Sequence, residues 1–326
     1  MNDDNFPARI TLYDRTNAAV LSLVTSEMPR LKDARRRNKY PDNPTFPKPA
    51  SMPFEQVTID GVTIRVSLSP AADKPTLVML CPFPQSILAY APIWEDLASN
   101  FNLYAYDIPG FGRSQGGLEF MTFKAQGDFL KRFVDHYDIT NAHFLGPDVG
   151  MPSILYYVGT HSNTARSLII GDGPAIAPSS NASVIRKMVN SSFWRLIFRI
   201  AGAGALVEAG NRICFVNYRP NETELSDYKM AYSGRVSTTL EWFKGYPASL
   251  ATVDPLLEKI QQPTLVFWGD EDAILFPDNG ERIVKRMPNS EFKLFKDCGH
   301  FCYQDRHEQF RDMVVEWVNR QETKRS

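Results

Sequence analysis

Ala142-His143-Phe144-Leu145-Gly146-Pro147-Asp148-Val149-Gly150-Met151-Pro152 decides how this chain is read. The apolar run from Ala142 to Leu145 enters a tight turn, and the turn opens the amphipathic segment Met151 to Thr160. The order is strand, sharp turn, helix. Glycines two positions before and two after Asp148 omit the side chains that would block such a turn, which then holds its central residue bare at the strand tip. The usual occupant is serine; here it is aspartate. A G-x-D-x-G triplet of positions also suits an ordinary turn, so its weight comes from its surroundings.

Outward from this turn, strand-length apolar runs recur at Thr76–Leu80, Leu103–Tyr106, Ser167–Ile170, Thr264–Trp268 and Glu291–Phe295. Amphipathic segments lie between and after them, at Phe123–His136, Asn279–Met287 and Gln304–Arg320, and Val57–Asp60 with Val62–Leu68 reads as a hairpin about Gly61. The alternation predicts an α/β fold of about eight mostly parallel strands with helices on both faces. It stops between Ile170 and Thr264, where aromatic and aliphatic residues crowd without a sheet strand. Residues 173–250 are therefore expected to form a helical lid after the sixth strand, closing an apolar pocket over the C-terminal edge of the sheet. Residues 54–172 and 251–326 form the expected core. Trp194, Phe198, Tyr232, Trp242 and Phe301 are the expected substrate-binding wall. Residues 1–53 stand apart, with a helical stretch from Thr16 to Arg37 and an extended proline-rich arm from Pro41 to Pro53. The arm is read as packing on the domain surface, with a homodimer contact or an active-site flap as the alternatives.

Partners for Asp148 follow in order. Trp268-Gly269-Asp270-Glu271-Asp272 ends the seventh strand, and Asp272 stands where an acid would orient an imidazole. Cys298-Gly299-His300-Phe301 ends the eighth, which brings His300 across to Asp148. The remaining histidines, His136, His143, His161 and His307, read as surface or packing residues. An aspartate in the nucleophile position selects the chemistry. Attack on an sp³ carbon yields an ordinary alkyl ester, whereas attack on a substrate ester would yield an anhydride. The helix N-terminus beside Asp148 favours its anion.

The 326 residues, 43% hydrophobic, suffice for a large core in one main domain. A net charge of -1 gives no global positive field for nucleic acid or anionic lipid. No apolar stretch reaches the roughly 20 residues that cross a bilayer. Met1-Asn2-Asp3-Asp4 lacks the basic opening of a signal peptide, and four cysteines do not make a disulfide scaffold. The expectation is a cytoplasmic protein with a small apolar substrate and no cofactor.

Residues 54 to 322 resemble the α/β-hydrolase superfamily, in the branch of epoxide hydrolases and haloalkane dehalogenases. Cys81-Pro82-Phe83-Pro84-Gln85-Ser86 is similar to the His-Gly-Phe-Pro-x-Ser oxyanion loop of epoxide hydrolases, and Asp107-Ile-Pro-Gly110-Phe-Gly112-Arg-Ser114 matches the structural D-x-x-G-x-G-x-S turn. Tyr228-Lys-Met-Ala-Tyr232 followed by Leu240-Glu-Trp242-Phe243 resembles the lid stretch whose tyrosine protonates the epoxide oxygen. The resemblance implies an apolar epoxide as substrate, Asp148 as nucleophile, Asp272 and His300 as its hydrolytic partners, Tyr228 as acid with Tyr232 second, and the amides of Phe83 and Val149 as oxyanion hole. The chain departs from the pattern at Cys81-Pro82, at Val149 where tryptophan is common, and at the other lid tyrosine, whose place falls near Ile197 or Phe198. Three other readings follow from these departures. One is a dehalogenase using Trp194 and Trp242 as halide donors. Another is a non-hydrolytic relative that binds a ligand, or uses Asp148 and His300 as acid and base in a cyclisation or elimination. The third is a metal site from Cys298, His300 and Cys302 with Cys81, which would consume the histidine.

Overall fold

The computed structural model describes residues 8–24, 52–161, 165–179 and 184–324. Its sheet has eight strands: β1 (Glu55–Ile59), β2 (Val62–Ser69), β3 (Thr76–Leu80), β4 (Asn102–Tyr106), β5 (Ala142–Pro147), β6 (Ala165–Gly171), β7 (Thr264–Gly269) and β8 (Ser290–Phe295). They lie in the order β1-β2-β4-β3-β5-β6-β7-β8. The β1–β2 and β2–β4 pairs are antiparallel, and every pair from β4 to β8 is parallel. The expected α/β class and its mostly parallel sheet are therefore present. Central strands are apolar because both faces are covered: β5 and β7 are buried throughout. The edge strand β8 alternates instead. The β1–β2 turn uses Asp60 and Gly61 at φ 48° and 80°, a left-handed pair that matches the twist of a two-residue hairpin.

Helices α1 (Leu12–Val24), α2 (Ala91–Asn100), α3 (Phe123–His136) and α4 (Gly150–Thr160) precede the lid, which lies between β6 and β7. The lid helices are α5 (Val184–Asn190), α6 (Ser192–Cys214), α7 (Glu222–Tyr232) and α8 (Val236–Val253). After the lid come α9 (Asp278–Val284), α10 (Cys302–Asp305) and α11 (His307–Thr323). Gly202, at φ 84° and ψ 179°, breaks α6 into an outer and an inner half. The predicted N-terminal helix is seen as α1, which starts earlier than Thr16 and packs on α6. Its continuation to Arg37, and the proline-rich arm up to residue 51, lie outside the described residues.

Register sets the site. Pro147 pairs with Gly171, Gly171 with Phe267, and Gly269 with Phe295, so the loops after β5, β6, β7 and β8 all leave from one edge. In an open parallel sheet that carboxyl edge is where ligands bind. No helix among the described residues is long and apolar enough to cross a membrane.

Candidate active site

The elbow is built by absences. A Cβ on Gly146 would sit 2.8 Å from the Gly150 carbonyl carbon, and one on Gly173 would sit 2.4 Å from the Asp148 carbonyl oxygen. Asp148 itself takes φ 50°, a left-handed conformation that aspartate tolerates better than most residues. The peptide is held there by the bond from the Asp148 N–H to the Gly171 oxygen (3.0 Å).

Its carboxylate is shared between two donors. The Phe83 amide donates to Oδ1 at 3.0 Å, and His300 Nε2 lies 3.2 Å from Oδ2. His300 Nδ1 in turn lies 2.7 Å from Asp272 Oδ2, while Asp272 Oδ1 accepts the amides of Ile274 (2.8 Å) and Leu275 (3.0 Å). Trp268 fixes that loop by donating its indole N–H to the Leu275 oxygen at 2.7 Å. The histidine loop is clamped as tightly. His300 N–H donates to the Cys214 oxygen at 2.8 Å, and a Cβ on Gly299 would stand 2.0 Å from that same oxygen. All three triad side chains are buried, with Asp148 retaining 7% exposure.

Burial alone would lower the His300 pKa. The carboxylates of Asp272 and Asp148, with their hydrogen bonds, outweigh it and hold the imidazole well above its ordinary value. Beside it lies Asp172, at the end of β6, which the sequence reading did not single out. It is fully buried, accepts the Gly269 amide at 3.4 Å, and is pushed well above the carboxylate range by burial and by Asp272. The signal available was a third acid at a strand end, and it was not weighed.

A cleft opens over Asp148 and His300. Of the expected wall, Phe198, Trp242 and Phe301 line it, and so does Phe83. Trp194 does not; it is half-buried, with Lys187 5.1 Å over its ring. Tyr232 does not either: its hydroxyl donates to the Gln85 oxygen at 2.9 Å and accepts the Gly112 amide at 3.3 Å, with its ring edge-on to Phe83. Tyr228, the expected acid, is also displaced. Asp227 ties α7 to the core through Arg65 (2.7 Å) and Ser86 (2.5 Å), and a capping box of Asn221 and Glu224 fixes the helix start. That anchoring turns Tyr228 away from the cleft, where its hydroxyl accepts from Gln304 Nε2 at 3.3 Å. The tyrosine that does reach the cleft is Tyr246 on α8, hydrogen-bonded to Ser179. Nothing in the sequence separates it from the other lid aromatics. Val149, next to Asp148 in the chain, is buried, and its side chain lines no part of the cleft.

The cysteine reading is also corrected. Cys298 and Cys302 contact one another at 3.5 Å, while Cys81 instead accepts the Ile108 amide at 3.2 Å. Among the described residues, no group of three or more His, Cys, Asp or Glu is arranged to hold a metal. His300 is committed to its two carboxylates.

A doubly covered parallel sheet with an aspartate at the strand–elbow–helix turn, an acid after β7 and a histidine after β8 defines a class, and the chain belongs to the alpha/beta hydrolase fold family, whose match spans residues 75–306. Its relatives include a 2-hydroxy-6-oxononadienedioate/2-hydroxy-6-oxononatrienedioate hydrolase of Paraburkholderia phymatum, 22% identical over 85% of this chain and 99% of that protein. A poly(3-hydroxyalkanoate) depolymerase of Ectopseudomonas oleovorans is 23% identical over 82% of this chain and 93% of its own length. Among solved structures, the haloalkane dehalogenase DbeA of Bradyrhizobium elkani superposes with a TM-score of 0.73 at 18% identity, covering 84% of this chain and 99% of that one.

Proposed function

We propose that this hydrolase opens an apolar epoxide through an alkyl ester on Asp148. The observation that carries the reading is a carboxylate at the elbow, gripped by the Phe83 amide on one oxygen and facing His300 with the other. In the first step an Asp148 oxygen bonds to the epoxide carbon. The C–O bond breaks, its electron pair goes to the epoxide oxygen, and Tyr246 protonates that oxygen.

Ester formation removes the negative charge of Asp148. One of the two anions that raise the His300 pKa is gone, so the imidazole gives up its proton, which goes to the Tyr246 phenolate, and His300 becomes the base for the second step. Water, deprotonated by His300, attacks the ester carbonyl, and the oxyanion meets the Phe83 amide, with Val149 proposed as its companion. Collapse releases the diol oxygen, which takes the His300 proton. Asp148 emerges as the acid, and its proton returns to His300.

The substrates named for the relatives in this family fit less well. A dioate would bring two carboxylates into a cleft whose described walls hold no Lys or Arg and already contain Asp148. One observation favours a second reading, an alkyl halide: the indole N–H of Trp242, on the cleft wall, has no partner among the described residues and could receive a departing halide. Single turnover of styrene oxide in H₂¹⁸O tests the main reading. Label should enter the Asp148 carboxylate; label in the diol alone would mean that water attacks the substrate directly.

A further inference from the structure

Helix α1 and the lid together carry a surface that the proposed reaction does not require. Among the described residues, the strongly exposed large apolar side chains are Leu12, Tyr13 and Val20 on α1 and Phe193, Leu196 and Ile200 on the outer half of α6, against only Phe54 and Leu118 elsewhere. The two helices pack on each other, so the six side chains lie on adjoining helices. Single exposed apolar residues need no explanation; a cluster on two adjoining helices does.

The same face is cationic. Residues 184–200 contain Arg186, Lys187, Arg195 and Arg199 and no acid, so this segment carries +4 while the rest of the chain carries -5 (-1 minus 4). The neutral total hides a local field. Arg186 and Arg199 are exposed, and neither makes an ion pair among the described residues. Arg195 grips the Met188 and Val189 oxygens at 2.8 and 2.9 Å and forms no ion pair among the described residues, although Glu241 lines the same surface groove. A helix with Phe, Trp, Leu and Ile on one side and arginines along the other has the composition of an in-plane, interfacial helix.

We propose that the face formed by α1 and the outer half of α6 docks on an anionic lipid surface. Apolar side chains would enter the headgroup boundary, and the arginines would meet lipid phosphates. A second copy is disfavoured as occupant, because two +4 segments would oppose each other. The position also has a use. Leu21 of α1, Ile185 and Met188 of α5 and Phe198 of α6 line the cleft above Asp148, so the docking elements and the cleft wall are the same elements. An apolar substrate dissolved in a bilayer could enter without crossing water. The docking stands on exposure and charge, and is independent of the reaction that Asp148 performs.

The test is flotation of the full chain with phosphatidylcholine vesicles, with and without phosphatidylglycerol. Binding is expected only with the anionic lipid and should weaken as salt rises. Each arginine near the surface contributes about 1 kcal/mol, or about fivefold. Arg186→Gln with Arg199→Gln should therefore weaken binding about 25-fold by that figure. Phe193→Ser with Ile200→Ser should weaken it as well, and unchanged thermal unfolding would show that both variants fold. The proposal is overturned by equal binding to neutral vesicles, by no binding, or by binding that survives the serine substitutions, which would indicate a plain polyanion site. It is overturned equally if sedimentation finds a dimer that Phe193→Ser dissociates.

Discussion

Replacing His300 with glutamine separates the two halves of the proposed reaction. The imidazole bridges Asp272 at 2.7 Å and Asp148 at 3.2 Å, and in the proposed reaction it takes a proton from the hydrolytic water. Glutamine can still donate to one carboxylate, and Asp272 retains the amides of Ile274 and Leu275, so the buried acid is not stranded. Alkylation of Asp148 needs no base. Ester hydrolysis does, and loss of a positioned base typically costs between about 10² and 10⁴ in rate. At 1.36 kcal/mol per decade that is about 3 to 5 kcal/mol of barrier. Mixed with styrene oxide and quenched, the variant should gain the mass of one substrate on the peptide carrying Asp148, while steady-state turnover falls by at least about a hundredfold. The reasoning is refuted if His300→Gln turns over within tenfold of the parent, or if the adduct maps to any other residue.

Two further outcomes follow from groups outside the cleft. Tyr228→Phe should leave kcat/KM within about threefold and lower stability by about 1 kcal/mol, since it removes only the bond from Gln304; a hundredfold loss of activity would return the proton-donor role to Tyr228. Glu224, fully buried beside Tyr218 and Gln304, is pushed from 4.5 up to about 8 by burial. The folded state therefore keeps this proton after the unfolded chain has lost it, so its contribution to stability is complete below about pH 4.5 and drains away as pH rises toward 8. Urea midpoints should fall across that window by the equivalent of, at most, about 4 kcal/mol, and Glu224→Gln should flatten the slope.

The fold was legible because its central strands are buried on both faces and so are written as uninterrupted apolar runs. Thr76–Leu80 and Phe123–His136 have the predicted bounds, and the other core strands differ by a residue or two at their ends. Asp148, Asp272 and His300 were legible for a related reason: each follows a strand, and strand order fixes where such residues meet. The lid was not. Tyr228, Tyr232, Trp242 and Tyr246 are all nearly fully buried, so no exposed stripe marks which side of α7 or α8 faces the cleft. On α7 the pairing of Asp227 with Arg65, a buried cation on β2, fixes which side meets the core. A contact between residues so distant in sequence leaves no periodic trace. Position in a motif carried Tyr228 into the site on paper, and one ion pair takes it out.

Asp305 accepts the amides of Val216 (3.1 Å), Asn217 (2.6 Å) and Tyr218 (2.8 Å), where the chain leaves α6, and also the Gly299 amide at 2.7 Å. With the His300 amide on the Cys214 oxygen, this rivets the inner end of α6 to the loop that carries the base. The inner end of α6 and the histidine loop are thus joined, and any displacement of residues 203–214 would carry His300 with it.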